Sequence, residues 1–107
     1  MPFAIEPAPV AIIKAVAAAG TAEPLTAVPT LATYIEVSAK KTAAVNAGNV
    51  FIGASTVVKA ATESVELAPG DVWYKQARPG ECFDLANIYI DADTTADGVA
   101  GFYTPAA

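Results

Sequence analysis

The residues best suited to metal chemistry lie in one acidic stretch, positions 91–98, DADTTADG. Its two leading aspartates match the first and third ligand positions of an EF-hand calcium loop, and Thr95 could serve at the fifth. An EF-hand also needs glycine at position 6 and a bidentate glutamate at position 12, where this chain has Ala96 and Phe102. We therefore expect no metal site here but a solvated hairpin loop, closed by the turn pair Asp97-Gly98.

Side chains for covalent or acid–base catalysis are scarce. The chain contains no histidine, which excludes a Ser-His-Asp triad, a Cys-His nucleophile and any histidine-containing zinc site. Cys82 is the single cysteine, so no intramolecular disulfide can form, and we expect a buried or half-buried thiol. Eleven acidic residues always offer carboxylate pairs, but no pair is singled out by its spacing. We expect a non-enzymatic protein that needs no cofactor.

Aromatic side chains could form a sugar-stacking platform, as in a carbohydrate-binding module. Such a module needs an exposed coplanar pair, here from among Trp73, Tyr74 and Tyr89. On alternating strands, however, aromatic rings enter the core by default, so we expect most of them in the core or at a subunit interface. The glycines form neither GxGxxG nor GxxxxGK[ST], so no nucleotide site is indicated.

The charge balance restricts the partners. Six basic residues against eleven acidic ones give a net charge of −5, and the basic residues are scattered. Nucleic acids and anionic membrane surfaces both require clustered cations, so we expect the protein to bind neither. The proline-containing N-terminal stretch lacks the basic start of a signal peptide, and we expect synthesis in the cytoplasm without lipid attachment. Hydrophobic residues make up 54% and charged residues only 16%, which hints at apolar surface covered by a partner, although much of the surplus is alanine, which is readily exposed.

Two-residue alternation predicts an all-β fold. In the segment 33–40, Ile35, Val37 and Ala39 share one face, and in 87–92 we expect Ile88 and Ile90 inward with Tyr89 and Asp91 outward. Pro-Gly corners about ten residues apart are typical of a sandwich or barrel. We therefore predict a small antiparallel β-sandwich, jelly-roll or immunoglobulin-like, with strands at 33–40, 50–52, 57–58, 65–67, 72–76, 87–92 and 99–103.

The N-terminal segment 1–11 contains prolines at positions 2, 7 and 9, which disfavour regular structure. It is either an extended arm that needs a surface to lie on or a disordered terminus, and we treat 12–107 as a single domain. Residues 12–19 fit a short helix or a strand, and their β-branched side chains favour the strand. The partner-binding residues that we predict are apolar side chains of the arm and of two strands: Phe3, Ile5, Val10, Ile12, Ile13, Trp73 and Tyr74.

Three segments between Tyr34 and Tyr103 carry a family resemblance: IEVSAKKTAAVNAGNVFIGASTVV, VELAPGDVW and FDLANIYIDADTTADGVAGFY. In these strand and turn motifs the sequence resembles small bacteriophage head proteins of the decoration, or cement, type. The resemblance implies a β-sandwich virion protein on the capsid surface that binds the major capsid protein, stabilises the assembled head and forms a homo-oligomer, for which we take a trimer. The alternatives are a head-tail connector or tail component and, in a different class, a carbohydrate-binding module.

Overall fold

The chain folds as a β-sandwich of two antiparallel sheets. The computed structural model describes residues 7–40, 45–54 and 64–106. One 3₁₀ turn, Leu85–Asn87, interrupts the strands. In chain order the strands are β1 (Val10–Ala15), β2 (Glu23–Pro24), β3 (Leu31–Ala39), β4 (Val50–Gly53), β5 (Val65–Leu67), β6 (Val72–Gln76), β7 (Phe83–Asp84), β8 (Tyr89–Ala92) and β9 (Gly98–Pro105).

The first sheet, sheet A, has the strand order β1-β9-β3-β6, and β7 also pairs with β3. The nine-residue β3 lies between β9 and β6 and has the most regular alternation. Ile35, Val37 and Ala39 are buried on its inner face, as the sequence pattern predicts. The second sheet, sheet B, has the order β2-β8-β4-β5 and directs Val50 and Ile52 inward.

The core lies between the two sheets. Its fully buried side chains come from both of them, and the segments between strands add Val16, Leu25 and Leu85. Because each buried aliphatic side chain stabilises the fold by about 1.5–3 kcal/mol, this modest cluster is the main source of stability.

One ion pair joins the edge strands of the two sheets. Lys14 of β1 donates from Nζ to Oε1 of Glu23 in β2 at 3.0 Å, and both side chains are half-buried. The second carboxylate oxygen of Glu23 accepts a 2.6 Å hydrogen bond from the amide of Ala17. This backbone hydrogen bond, together with Lys14, lowers the pKa of Glu23 below its usual value.

The prediction of a hairpin at 91–98 is wrong. β8 pairs with β2 and β4 in sheet B, whereas β9 pairs with β1 and β3 in sheet A, so the connecting loop crosses from one sheet to the other. The positive φ of this loop, 75°, is at Ala96 and not at the expected Asp97-Gly98 pair. A hairpin and a crossover between sheets can have the same turn residues, because these residues indicate that the chain reverses direction but not which sheet it enters next.

Two aspartates of this loop region are buried, against the expectation of solvated carboxylates. Asp91 is only 2% exposed, because the segment at Gly20 passes over it and donates its amide to Oδ1 at 2.9 Å. Asp97 accepts hydrogen bonds from the amides of Ala47 and Gly48, at 3.0 and 2.8 Å. Each carboxylate therefore satisfies backbone donors of another segment, which the strand alternation alone does not reveal.

Asn46 completes this junction between the sheets. Its side-chain amide donates to the carbonyl of Gly98 at 2.8 Å and accepts from the amide of the same residue at 2.9 Å. The side chain is 5% exposed and both bonds are buried. We call Asn46 and Asp97, with the backbone groups that they bind, the crossover clamp. It connects the start of β9 in sheet A to the segment that leads into β4 in sheet B.

Most other strand predictions are confirmed, with shifted ends. Strands occur at 31–39, 50–53, 65–67 and 72–76, whereas the predicted strand 57–58 lies outside the described residues. The strand interpretation of 12–19 is confirmed for its first part, but β1 already begins at Val10, inside the segment predicted to lack regular structure. Val10 and Ala11 pair with Tyr103 and Phe102 of β9. The prolines at positions 7 and 9 do not prevent this pairing, because both precede the strand. Cys82 is exposed rather than buried, because it lies in the loop before β7.

Candidate interaction surface

The register of sheet A determines which side chains share its outer surface. Directly paired residues of an antiparallel sheet point to the same face, and here Glu36 pairs with Phe102 on one side and with Tyr74 on the other. The same register defines further rows of directly paired residues on either side of this one. We call the following set the outer face: Ala11, Ile13 and Ala15 of β1; Gly98, Ala100, Phe102 and Thr104 of β9; Tyr34, Glu36 and Ser38 of β3; and Val72, Tyr74 and Gln76 of β6.

The outer face is apolar and open. Ile13, Tyr74, Val72 and Phe102 are 74%, 64%, 56% and 38% exposed. Glu36 is the only charged residue among the positions of this face. Several large apolar side chains on one sheet face, with one charge among them, are typical of a surface that another molecule covers.

Three aromatic rings occupy the middle of the outer face. The ring of Tyr34 lies 6.3 Å from that of Tyr74, with 28° between the planes, and 6.1 Å from that of Phe102, with 35° between the planes. The hydroxyl of Tyr34 donates to Oε1 of Glu36 at 2.8 Å. This hydrogen bond raises the pKa of the Tyr34 phenol, because the neutral form is the donor and the neighbouring carboxylate disfavours a second negative charge.

A shallow cavity of about 530 Å³ continues the outer face at one end. Tyr34, Gln76 and Thr104 line it from the sheet, and Pro7 and Arg78 line it from the N-terminal segment and from the turn after β6. Pro7 therefore lies at the same end of the outer face as Tyr34.

The structure divides the predicted partner-binding residues between the two faces of sheet A. Ile13 and Tyr74 lie on the outer face, where they are exposed. Ile12 is 8% exposed and belongs to the core, and Trp73 is half-buried against that core. Both point inward because neighbours along a strand alternate between faces.

Val10 shares the inward parity of Ile12 but lies at the end of β1 and is 40% exposed. Phe3 and Ile5 lie outside the described residues. Sequence reasoning left Val72, Tyr34 and Glu36 out of the predicted site. The two-residue period that identified their strands is the signal that could have grouped them with Tyr74.

The aromatic residues considered for a carbohydrate platform do not form one. Trp73 points inward and Tyr74 outward from the same strand. Tyr89 lies in sheet B, where it pairs with Gly53. No two of these three rings therefore share a face.

A second cavity, of about 670 Å³, opens between the sheets. Its lining is mainly apolar and includes Trp73 and Phe83, with Lys75 placed 5.3 Å from the centre of the Phe83 ring. One carboxylate, Asp84, lines it, and its Oδ1 already accepts from the amides of Thr30 and Ala86. Within the ranges 7–40, 45–54 and 64–106, no group of three or more Cys, Asp or Glu side chains could hold a metal ion.

Comparison with known proteins does not identify a relative, since no family model, curated protein or solved structure matches the chain. In the part of the chain that the structure describes, no helix has the length and apolar character needed to cross a membrane.

Proposed function

We propose that this protein is a non-enzymatic decoration protein of a bacteriophage head, which binds the major capsid protein on the outside of the assembled shell and stabilises it. The observation that carries the proposal is the outer face, a four-strand surface with exposed Ile13, Val72 and Tyr74 and one charge. The sequence resemblance to small phage head proteins points in the same direction.

The outer face alone is smaller than a usual protein interface. Four strands about 4.8 Å apart give a width of roughly 14 Å, and the five residues of β6 give a length of roughly 17 Å. The face therefore covers roughly 240 Å², whereas a stable complex buries about 800 Å² on each partner. The N-terminal segment can supply the missing area, because Pro7 lies beside Tyr34 at one end of the face. In this proposal the apolar residues Phe3 and Ile5 extend the contact onto the capsid. A deletion that tests the arm has to end at Pro9, since Val10 already belongs to β1.

The mechanism is thermodynamic. A protein that binds the assembled shell but not free capsid subunits stabilises the shell by mass action. If each copy touches more than one capsid subunit, weak contacts add up over the lattice and resist disassembly. Self-association would multiply these contacts, and a trimer is the working assembly.

The direct test uses heads of the phage that encodes this chain, purified without it. Purified protein is added, unbound protein is removed by sedimentation, and the bound copies are counted per head together with the temperature at which the heads release their DNA. The proposal predicts saturable binding of hundreds of copies and a higher release temperature. Absence of binding would refute it, and binding of a few copies per head would favour a head-tail connector or tail component. Light scattering on the isolated protein determines whether it is a trimer.

A further inference from the structure

Glu36 occupies an unusual position for a carboxylate. It lies in the middle row of the outer face, directly between Phe102 and Tyr74, and the ring of Tyr34 lies next to it on the same strand. One of its oxygens, Oε1, accepts the hydroxyl of Tyr34. Among the described residues, Oε2 accepts no hydrogen bond, so one oxygen of this carboxylate is available to a ligand.

When a partner covers the outer face, the free-energy cost of the charge on the Glu36 carboxylate changes. In the free protein, water solvates the half-buried carboxylate, and its charge costs little. A partner that removes this water without supplying a donor leaves an uncompensated buried charge, which is strongly unfavourable. A partner with a purely apolar surface is therefore a poor match for the centre of the face, although it would suit Ile13 and Val72.

The surroundings of Glu36 favour a cation. Aromatic rings attract positive charge to their faces, and three rings surround this carboxylate. The outer face has no positive charge of its own at any of its positions, and the chain as a whole has a net charge of −5. A planar guanidinium fits best, because it stacks on aromatic rings and at the same time donates hydrogen bonds to a carboxylate.

We propose that the outer face recognises an arginine side chain of the capsid subunit, which stacks on the rings of Tyr34, Tyr74 and Phe102 and donates to Glu36. The proposal rests on the capsid-binding function and specifies the partner chemistry at its surface. Ile13 and Val72 lie at the two ends of the neighbouring row of this face, so they border the ion pair on one side. Tyrosine and arginine are enriched in binding hot spots, which agrees with a pair of this kind.

The first experiment tests the chemistry without a capsid. Wild-type protein labelled with ¹⁵N and ¹³C is titrated with N-acetyl-arginine amide and, as the matched neutral control, with N-acetyl-citrulline amide. We expect saturable NMR shift changes at Tyr34, Tyr74 and Phe102 with the arginine compound only. Glu36→Gln should remove them while the remainder of the spectrum stays that of the folded protein. Equal shifts with both compounds, or none with either, would overturn the proposal.

The second experiment measures binding to the purified heads. Glu36→Gln should weaken binding at least about 10-fold, because it leaves the arginine of the capsid unpaired in a covered interface. The binding of wild-type protein should also weaken with added salt more steeply than that of the variant. Equal affinity and equal salt dependence of the two proteins would overturn the arginine site while leaving the capsid-binding function intact.

A failure of wild-type protein to bind heads would instead refute the capsid-binding function and, with it, the capsid subunit as the source of the arginine. A second copy of this chain is the competing occupant, and its only arginine is Arg78. If the isolated protein forms an oligomer that both Glu36→Gln and Arg78→Gln dissociate, the arginine comes from a second copy and the capsid assignment is overturned.

Discussion

The crossover clamp gives the most quantitative prediction. Asn46→Ala removes two buried hydrogen bonds to Gly98, each with a net value of about 1 kcal/mol. The carbonyl of Gly98 still accepts from the amide of Lys40 at 3.2 Å. Outside the strand ladders, the amide of Gly98 makes no other hydrogen bond among the described residues, and an unsatisfied buried amide costs a further 1–3 kcal/mol or so. We expect a total loss of about 3–5 kcal/mol.

Urea unfolding measures this loss, with the fluorescence of Trp73 as the signal, since it is the only tryptophan and packs against the core. For a domain of this size the same loss lowers the melting temperature by roughly 12–40 °C. The control is Asn87→Ala, at an exposed asparagine without a hydrogen-bonded side chain, which should change stability by less than about 0.5 kcal/mol. If Asn46→Ala lowers the free energy of unfolding by no more than this control does, the clamp does not hold the sheets together.

Three further predictions concern other contacts of the sheets. Gly101→Ala would place Cβ 2.0 Å from the backbone oxygen of Glu36, so we expect a loss of about 3 kcal/mol or more in urea unfolding, against about 1 kcal/mol for Gly80→Ala, whose Cβ meets no atom. Equal losses would contradict the close approach of β9 to β3. The lowered pKa of Glu23 means that its contribution is complete above the unfolded pKa near 4.5 and disappears as pH falls through the folded value. The free energy of unfolding of wild type should therefore exceed that of Glu23→Gln by less than about 1 kcal/mol at pH 7, and this difference should disappear in acid. A difference that does not depend on pH would show that the ionisation of Glu23 does not contribute to stability. Glu36→Gln should lower the pKa of the Tyr34 phenol, followed by NMR, and an unchanged pKa would show that the hydrogen bond is absent.

The sequence predicts the sheets better than the connections between them. Alternation in β3 and β6 identifies the strands and their inner faces, because the pleat depends only on local order along the chain. The crossover between β8 and β9 is not local. Asp97 could close a hairpin, or it could accept hydrogen bonds from the amides of Ala47 and Gly48. Which of the two occurs depends on a segment about fifty positions away. No pattern near Asp97 contains that information.

The same distinction applies to the candidate site. Ile13 and Tyr74 could be selected from the sequence because they are apolar residues on predicted strands, but so could Ile12 and Trp73, which point inward. Only the strand order shows that β1 and β6 lie at opposite edges of one sheet, with β9 and β3 between them. The role of Glu36 depends on this order as well, since its two aromatic neighbours in the row come from different strands.

A pair of matched charge substitutions tests whether the outer face binds the head. Val72→Asp adds one charge to an exposed valine of that face, and Val28→Asp adds the same charge to a valine of similar exposure in the loop before β3, 56% and 65% exposed. With both variants shown to be folded, we predict that Val72→Asp loses occupancy on purified heads about 10-fold or more, whereas Val28→Asp binds as wild type does. Wild-type occupancy of Val72→Asp, or an equal loss in both variants, would show that the outer face is not the surface that binds the head.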